Sequence, residues 1–280
     1  MRLMRAVSLS LLTVSVTAAG WVIPAWAQTL QQNEERCGDS NPDLAIGNCT
    51  AVIQSGQVSD ASLAMAFNNR GVAYGKNSKY DLAIADYNEA IRLKPDLAMA
   101  FNNRGAAQDS LGKLDFALAD YNQAISLKPD YFDAFNNRGI AYGKKDQINL
   151  AIADFNEAIR IKPDYADAYS DRCYARVISG QQLDMALSDC TKVLQLTPND
   201  ENTLGIRGFV YLRLGDYSKA IADSSAALAI NSKDADPLFV RGLAKQKSGN
   251  AAGGAADIAA AKAIDPKIAE KYAKYGIAPN

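Results

Sequence analysis

The chain has 280 residues, 48% of them hydrophobic and 22% charged, a composition without the marks of disorder. Lys and Arg number 30 against 31 Asp and Glu, so there is no basic excess to suit nucleic acid and no polybasic run for anionic lipid. Histidine is absent, which excludes a Ser-His-Asp triad, a Cys-His pair and any His-ligated zinc, and leaves acid–base chemistry to carboxylates, Lys or Tyr.

The segment 1–27 reads as an export signal. Arg2 and Arg5 give a positive start, residues 6–20 are apolar with small hydroxyl side chains, Pro24 interrupts the run, and Ala25-Trp26-Ala27 fits a small-x-small cleavage site before Gln28. An uncleaved anchor is the competing reading, since residues 6–27 are about long enough to span a bilayer; the proline and the Ala-x-Ala favour cleavage. No Cys follows the apolar run closely, as a lipoprotein would need. No second segment is apolar enough to span a membrane. The expected destination is the periplasm or the exterior, with membrane contact only if the signal is retained.

From there the chain repeats itself. AFNNRG occurs at 66–71, 100–105 and 134–139, an even step. Its Arg recurs as Arg70, Arg104, Arg138, Arg172, Arg207 and Arg241, and an Asp keeps pace as Asp86, Asp120, Asp154, Asp189, Asp223 and Asp257. Six units follow, at 64–97, 98–131, 132–165, 166–200, 201–234 and 235–268. In the first, Phe67, Arg70, Gly71 and Tyr74 lie at i, i+3, i+4 and i+7, one face of a helix. A polar turn follows, and then Ala83, Tyr87, Ala90 and Ile91 make a second stripe that Pro95 ends. Two helices and two turns in every unit predict an all-α solenoid of helix-turn-helix units. Residues 28–63 read as an N-terminal cap, because 43–55 (DLAIGNCTAVIQS) matches the second helix of a unit. Residues 267–275 put Ile268, Tyr272 and Tyr275 on one face, as a closing helix would, with the tail to 280 completing a C-terminal cap from 269.

This pattern resembles the tetratricopeptide repeat family, on Phe67, Gly71, Tyr74, Ala83, Tyr87, Ala90 and Pro95 and their counterparts, over positions 64–268. Gln108 departs from it in place of an aromatic residue, Cys173 in place of the Gly, and Gly254 in place of the Ala. The resemblance implies a right-handed superhelix with the first helix of each unit lining a concave face. It further implies that Asn69, Asn103 and Asn137, each one residue before the Arg-Gly pair, face that groove, where a carboxamide can pair with both N–H and C=O of an extended peptide. Asn68, Asn102 and Asn136 lie toward the groove on the same spacing. The column ends in the fourth unit, where Asp171 takes the place. Beyond it, Tyr174, Ile206, Phe209, Phe239 and Val240 suggest a groove that is apolar enough to anchor a hydrophobic side chain, unless the C-terminal cap folds over it.

Within the resemblance, small Gly71 and Ala83 let two helices approach. The Arg and Asp columns are expected to pair from one unit to the next, Asp86 with Arg104 and Asp120 with Arg138, fixing register. Four cysteines allow three pairings. Cys173 takes the Gly column and Cys190 the aromatic column of the same unit, which favours Cys173–Cys190 and leaves Cys37–Cys49 to pin the N-terminal cap. Disulfides suit an exported chain. GVAYGK and GIAYGK are one residue short of a phosphate loop and follow no strand. Nothing points to a cofactor, a metal, a nucleic acid or a catalytic residue. The sequence therefore reads as a non-enzymatic scaffold that binds a protein or peptide, with a self-assembling scaffold as the alternative.

Overall fold

The computed structural model describes the backbone of residues 15–16, 22–23 and 25–278, and the side chains of 29–278. Most of the export segment, 1–27, lies outside the described residues. Within it, Ser15–Val16 (β1) pairs antiparallel with Val22–Ile23 (β2). Every other regular element among the described residues is helical. None of the described helices is long and apolar enough to cross a membrane.

The chain divides into two compact halves, called unit 1 (residues 1–127) and unit 2 (residues 128–280) from here on, with the six sequence units called repeats. The first holds α1 (Ala25–Arg36), α2 (Pro42–Ser55), α3 (Asp60–Lys76), α4 (Tyr80–Leu93), α5 (Ala98–Ser110) and α6 (Leu114–Leu127). The second holds α7 (Phe132–Lys144), α8 (Ile148–Ile161), α9 (Ala166–Ser179), α10 (Leu183–Leu196), α11 (Glu201–Leu214), α12 (Tyr217–Ile230), α13 (Ala235–Lys247), α14 (Ala251–Ile264) and α15 (Ile268–Lys274). Within each unit, every helix packs on the next in sequence, and α15 returns to α13 and α14. The N-terminal cap contains more than the half-unit expected: α1 pairs with α2, and it begins at Ala25, ahead of the expected cleavage point.

Close approach of the paired helices rests on one recurring contact. A Cβ placed on Gly71 would lie 2.7 Å from the Tyr87 ring, on Gly105 2.8 Å from Tyr121, and on Gly139 2.6 Å from Phe155. Each aromatic ring therefore fills the space its glycine leaves, and any larger residue there must push the second helix away. In the fourth repeat both columns change together, and a disulfide joins Cys173 to Cys190 with their Cα atoms 5.7 Å apart. A second disulfide, Cys37–Cys49, ties the end of α1 to α2. Both pairings match the expectation.

The turn between paired helices needs a residue in the left-handed region. Gly112, Gly180, Gly215 and Gly249 supply it without strain, whereas Ser78 and Asp146 adopt φ of 57° and 58° at the same position. Side-chain caps start several helices: the Asn41 side chain accepts the N–H groups of Asp43 and Leu44, with Pro42 in the first turn, and Asp200 accepts that of Thr203.

Candidate functional site

The charged columns pair within a repeat and not between repeats. Arg70 grips Asp86 through two hydrogen bonds of 2.8 Å, and Arg104–Asp120, Arg138–Asp154, Arg172–Asp189, Arg207–Asp223 and Arg241–Asp257 repeat the bidentate geometry. This corrects the expectation of Asp86 with Arg104. The antiparallel hairpin brings each Arg opposite the Asp on the second helix of its own repeat, one position from the Gly–aromatic contact. Both members are largely buried, and each guanidinium turns one nitrogen away from its carboxylate. That nitrogen reaches back to the preceding repeat: Arg104 donates to Asn88 at 2.6 Å and Arg172 to Asn156 at 2.6 Å, while Arg70 donates to Thr50 and Arg241 to Ser225. At these four joints register is therefore carried by a polar residue in one column, two positions after the Asp in the repeats and at Thr50 in the cap. Sequence reasoning missed this column, although the Asn at 88, 122 and 156 marks it. The Arg also lies 5.4–5.5 Å from the ring centroid of the aromatic residue three positions earlier, at Phe67, Phe101, Phe135 and Tyr169, a cation–π contact that adds to the pair.

The asparagine columns form a side-chain ladder. In unit 1, Asn68 and Asn102 are buried, at 3% and 5% exposure, while Asn69 and Asn103 are partly exposed. Asn68 donates to Asn69 at 3.2 Å and Asn102 to Asn103 at 3.4 Å; Asn103 in turn donates to the carbonyl of Asn68 at 3.0 Å, linking one repeat to the next. A carboxamide can do this because it both donates and accepts.

In unit 2 the ladder meets Asp171. Asn136 turns its amide toward the carboxylate and donates at 3.0 Å. Its own carbonyl oxygen is then buried with no partner, since a carboxylate has no N–H to return. Burial pushes Asp171 up to about 6, with the neighbouring Asp167 charge adding to the shift and the Asn136 bond opposing it. Asp167, one helical turn earlier, is exposed. Three cavities in unit 2, of about 370, 320 and 450 Å³, share Asp171 as a lining residue. The first also touches Asn136 and Asp167, the second Asp236 and Lys271, and the third Tyr174 and Tyr275.

The apolar half of the expected groove is covered. Phe209 is 2% exposed and Phe239 is fully buried. Tyr272 of α15 stacks on both rings at centroid distances of 5.0 and 4.9 Å, so neither is an exposed anchor. The hydroxyl of Tyr174 bonds that of Tyr275 at 3.0 Å. Arg213 donates to the backbone carbonyl of Tyr275, and Lys271 bonds both oxygens of Asp236 at 2.8 Å. Of the residues expected at the groove, Tyr174 alone among the aromatics stays half-buried beside the cavities. The physical reason is the closing helix: Tyr272 on it and Tyr275 just past its end bury the apolar surface that the last repeats would otherwise leave open.

Comparison with known proteins follows the same lines. Tetratricopeptide repeat models match residues 64–97, 132–165 and 202–234, and a TPR repeat model matches 110–146. No curated protein matches the sequence. Among solved structures, a tetratricopeptide repeat protein from Parabacteroides merdae ATCC 43184 is 17% identical, with a TM-score of 0.64 over 90% of this chain and 97% of that one. PilW, described as a widely conserved type IV pilus biogenesis factor, is 20% identical, with a TM-score of 0.66 over 75% of this chain and 97% of its own. YrrB, described as a TPR protein with an unusual peptide-binding site, is 20% identical, with a TM-score of 0.53 over 68% of this chain and 98% of its own. At these identities the likeness is one of fold. With the even repeat step, the Gly–aromatic contacts and the paired helices, it leads to one assignment: the chain carries tetratricopeptide repeats, helical repeats that build scaffolds for protein–protein interaction.

Proposed function

We propose that the chain is an exported, non-enzymatic scaffold, and that it binds a protein partner through an extended segment or a helix laid along the first helices of unit 2. The observation that carries this reading is Asp171. In a column otherwise built to satisfy itself, it breaks the ladder at the meeting point of three cavities, and a partner's donors are what such a break accommodates. The Asn residues of unit 1 are engaged with one another, which moves attention from Asn69 and Asn103 to the unit 2 face. YrrB, described as carrying a peptide-binding site, supports peptide recognition as a mode open to this fold.

Export rests on the N-terminal sequence and is supported by the two disulfides, which persist in oxidising compartments. The N-terminal residue of the protein recovered from its producing cells should be Gln28; a chain retaining Met1 and fractionating with membranes would instead make it an anchored scaffold. For binding, the wild type and Asp171→Asn are compared in a pull-down after circular dichroism shows equal helicity. Capture of a partner by wild type that weakens in the variant supports the unit 2 face. Equal capture by both places the contact elsewhere, and Asn69→Ala/Asn103→Ala/Asn137→Ala is then the next comparison. Light scattering that grows with concentration and no captured partner would favour self-assembly.

A further inference from the structure

The first helices of the two units differ in a column that the family likeness does not address. Five residues before the column Arg, unit 1 carries Met65 and Met99, whereas unit 2 carries Asp133, Asp167, Asn202 and Asp236. Two of these acids already hold donors. Asp133 accepts the hydroxyl of Tyr165 at 3.1 Å. Asp236 holds the ammonium of Lys271 on both its oxygens at 2.8 Å. Lys271 reaches it from α15, a separate element laid against α13, so the face shows directly how it receives a cation from a helix that docks on it.

Asp167 has no such donor. It lies on the same face of α9 as Asp171, one turn away, and like charges at that spacing repel. Asp171 has one neutral donor, the Asn136 amide. Asn136 is 3% exposed and lines the same cavity of about 370 Å³, and its carbonyl oxygen is without a partner. The recess thus holds two carboxylates and one orphaned buried carbonyl, all acceptors. A group that brings several N–H donors and a positive charge completes this set; a neutral or anionic side chain does not.

We propose that the recess between α7 and α9 receives the ammonium or guanidinium of a lysine or arginine from a basic segment of the partner. Asp171 and Asp167 hold the charge, and Asn136 supplies the third acceptor. The inference rests on the unit 2 face being the peptide-binding face, and it names the chemistry that face selects. The adjoining cavity, which Asp171 also lines, is the one Lys271 enters, so a basic segment along α9 would continue the pattern that α15 begins.

The probe is a set of three acetylated octapeptides in which alanine alternates with lysine, arginine or glutamine, titrated into the protein as recovered from its producing cells at pH 7.5. Affinity is read by calorimetry, and the site by the side-chain amide signal of Asn136 in NMR. The lysine and arginine peptides should bind at least tenfold more tightly than the glutamine peptide and shift the Asn136 signal. Asp171→Asn should lose at least tenfold of that affinity. Its fold is expected to persist, because Asn occupies the position in three other repeats. Asp167→Asn should lose less, and Asp81→Asn, an exposed acid of α4, should change nothing. If the glutamine peptide binds equally and moves the Asn136 signal, the face binds peptide but the cation assignment is overturned. If Asp171→Asn binds the basic peptides as wild type does, the cation assignment is also overturned. If no peptide moves a signal on α7, α9 or α11, both the cation assignment and the peptide reading of this face fall.

Discussion

The two units solve the same packing problem with one different atom. In unit 1, Asn68, Asn69, Asn102 and Asn103 pass hydrogen bonds along the repeats, each carboxamide giving and taking. In unit 2, the step from Asn136 to Asp171 replaces a nitrogen by an oxygen. The Asn136 amide can still donate, but nothing returns a hydrogen to its carbonyl, and the carboxylate sits in a part-buried site that raises its pKa to about 6. A self-satisfying ladder stabilises and offers little to a partner. A ladder broken at a cavity is less stable and leaves acceptors for a ligand. Where a repeat protein departs from its own column at a cost in stability, that position is the first place to look for binding.

The largest effect expected from breaking this comparison comes from the pair both units share. Asp120→Ala leaves the charge of Arg104 largely buried without its carboxylate, with Asn88 as its hydrogen-bond acceptor, and should lower stability by about 3 kcal/mol, read as the shift in urea midpoint. Asp189→Ala should cost more, because Asp189 holds both Arg172 and Arg176. Equal losses would mean that the second arginine of unit 2 contributes nothing.

Exchanging the ladder residues between units comes next. Asn103→Asp carries the break into unit 1 and should destabilise by about 1–3 kcal/mol at pH 7.5, and Asp171→Asn should repair unit 2 by a similar amount. The sign follows from linkage. Asp171 in the folded chain titrates near 6, above its ordinary value of 3.8, so the folded state binds the extra proton between those values. Wild-type stability from this group therefore falls as pH rises from about 4 to about 6 and stays level above. The gain from Asp171→Asn should be full at pH 7.5 and nearly gone below pH 4. A gain that does not change with pH would assign the effect to packing.

The smallest effect is a control in which the units should agree. Ser78→Gly and Asp146→Gly relieve a non-glycine residue in the left-handed region, one in each unit, and each should stabilise by about 0.5–1 kcal/mol. A gain in one unit only would show that the turns differ for reasons beyond backbone conformation.

Much of the fold was legible because periodicity is a strong signal. The even repeat step fixed the helix pairs, and the paired replacement of Gly by Cys173 and of the aromatic by Cys190 marked a disulfide within the sequence. Which copy of a column contacts which was not legible. Every Arg has an Asp both in its own repeat and in its neighbours, and only the hairpin geometry selects Asp86 for Arg70 over Asp86 for Arg104. The same ambiguity hid the Thr50, Asn88, Asn156 and Ser225 column, whose residues differ in type and share only an acceptor oxygen. At the candidate site, Asp171 was visible as the end of the Asn column, but its burial and the orphaned Asn136 carbonyl were not. The burial of Phe209 and Phe239 depended on where α15 lands, and a helix of barely two turns carries too little pattern to fix its docking.

The most direct test of the account is the titration of the Asp171 carboxyl carbon by NMR from pH 3.5 to 8, in the free protein and with the alternating lysine octapeptide. The account predicts a midpoint near 6 in the free protein, drawn down toward the ordinary carboxylate range when the peptide binds, because an ammonium beside Asp171 favours its charged form. A midpoint near 4 in the free protein, or one near 6 that the peptide leaves in place, would contradict it.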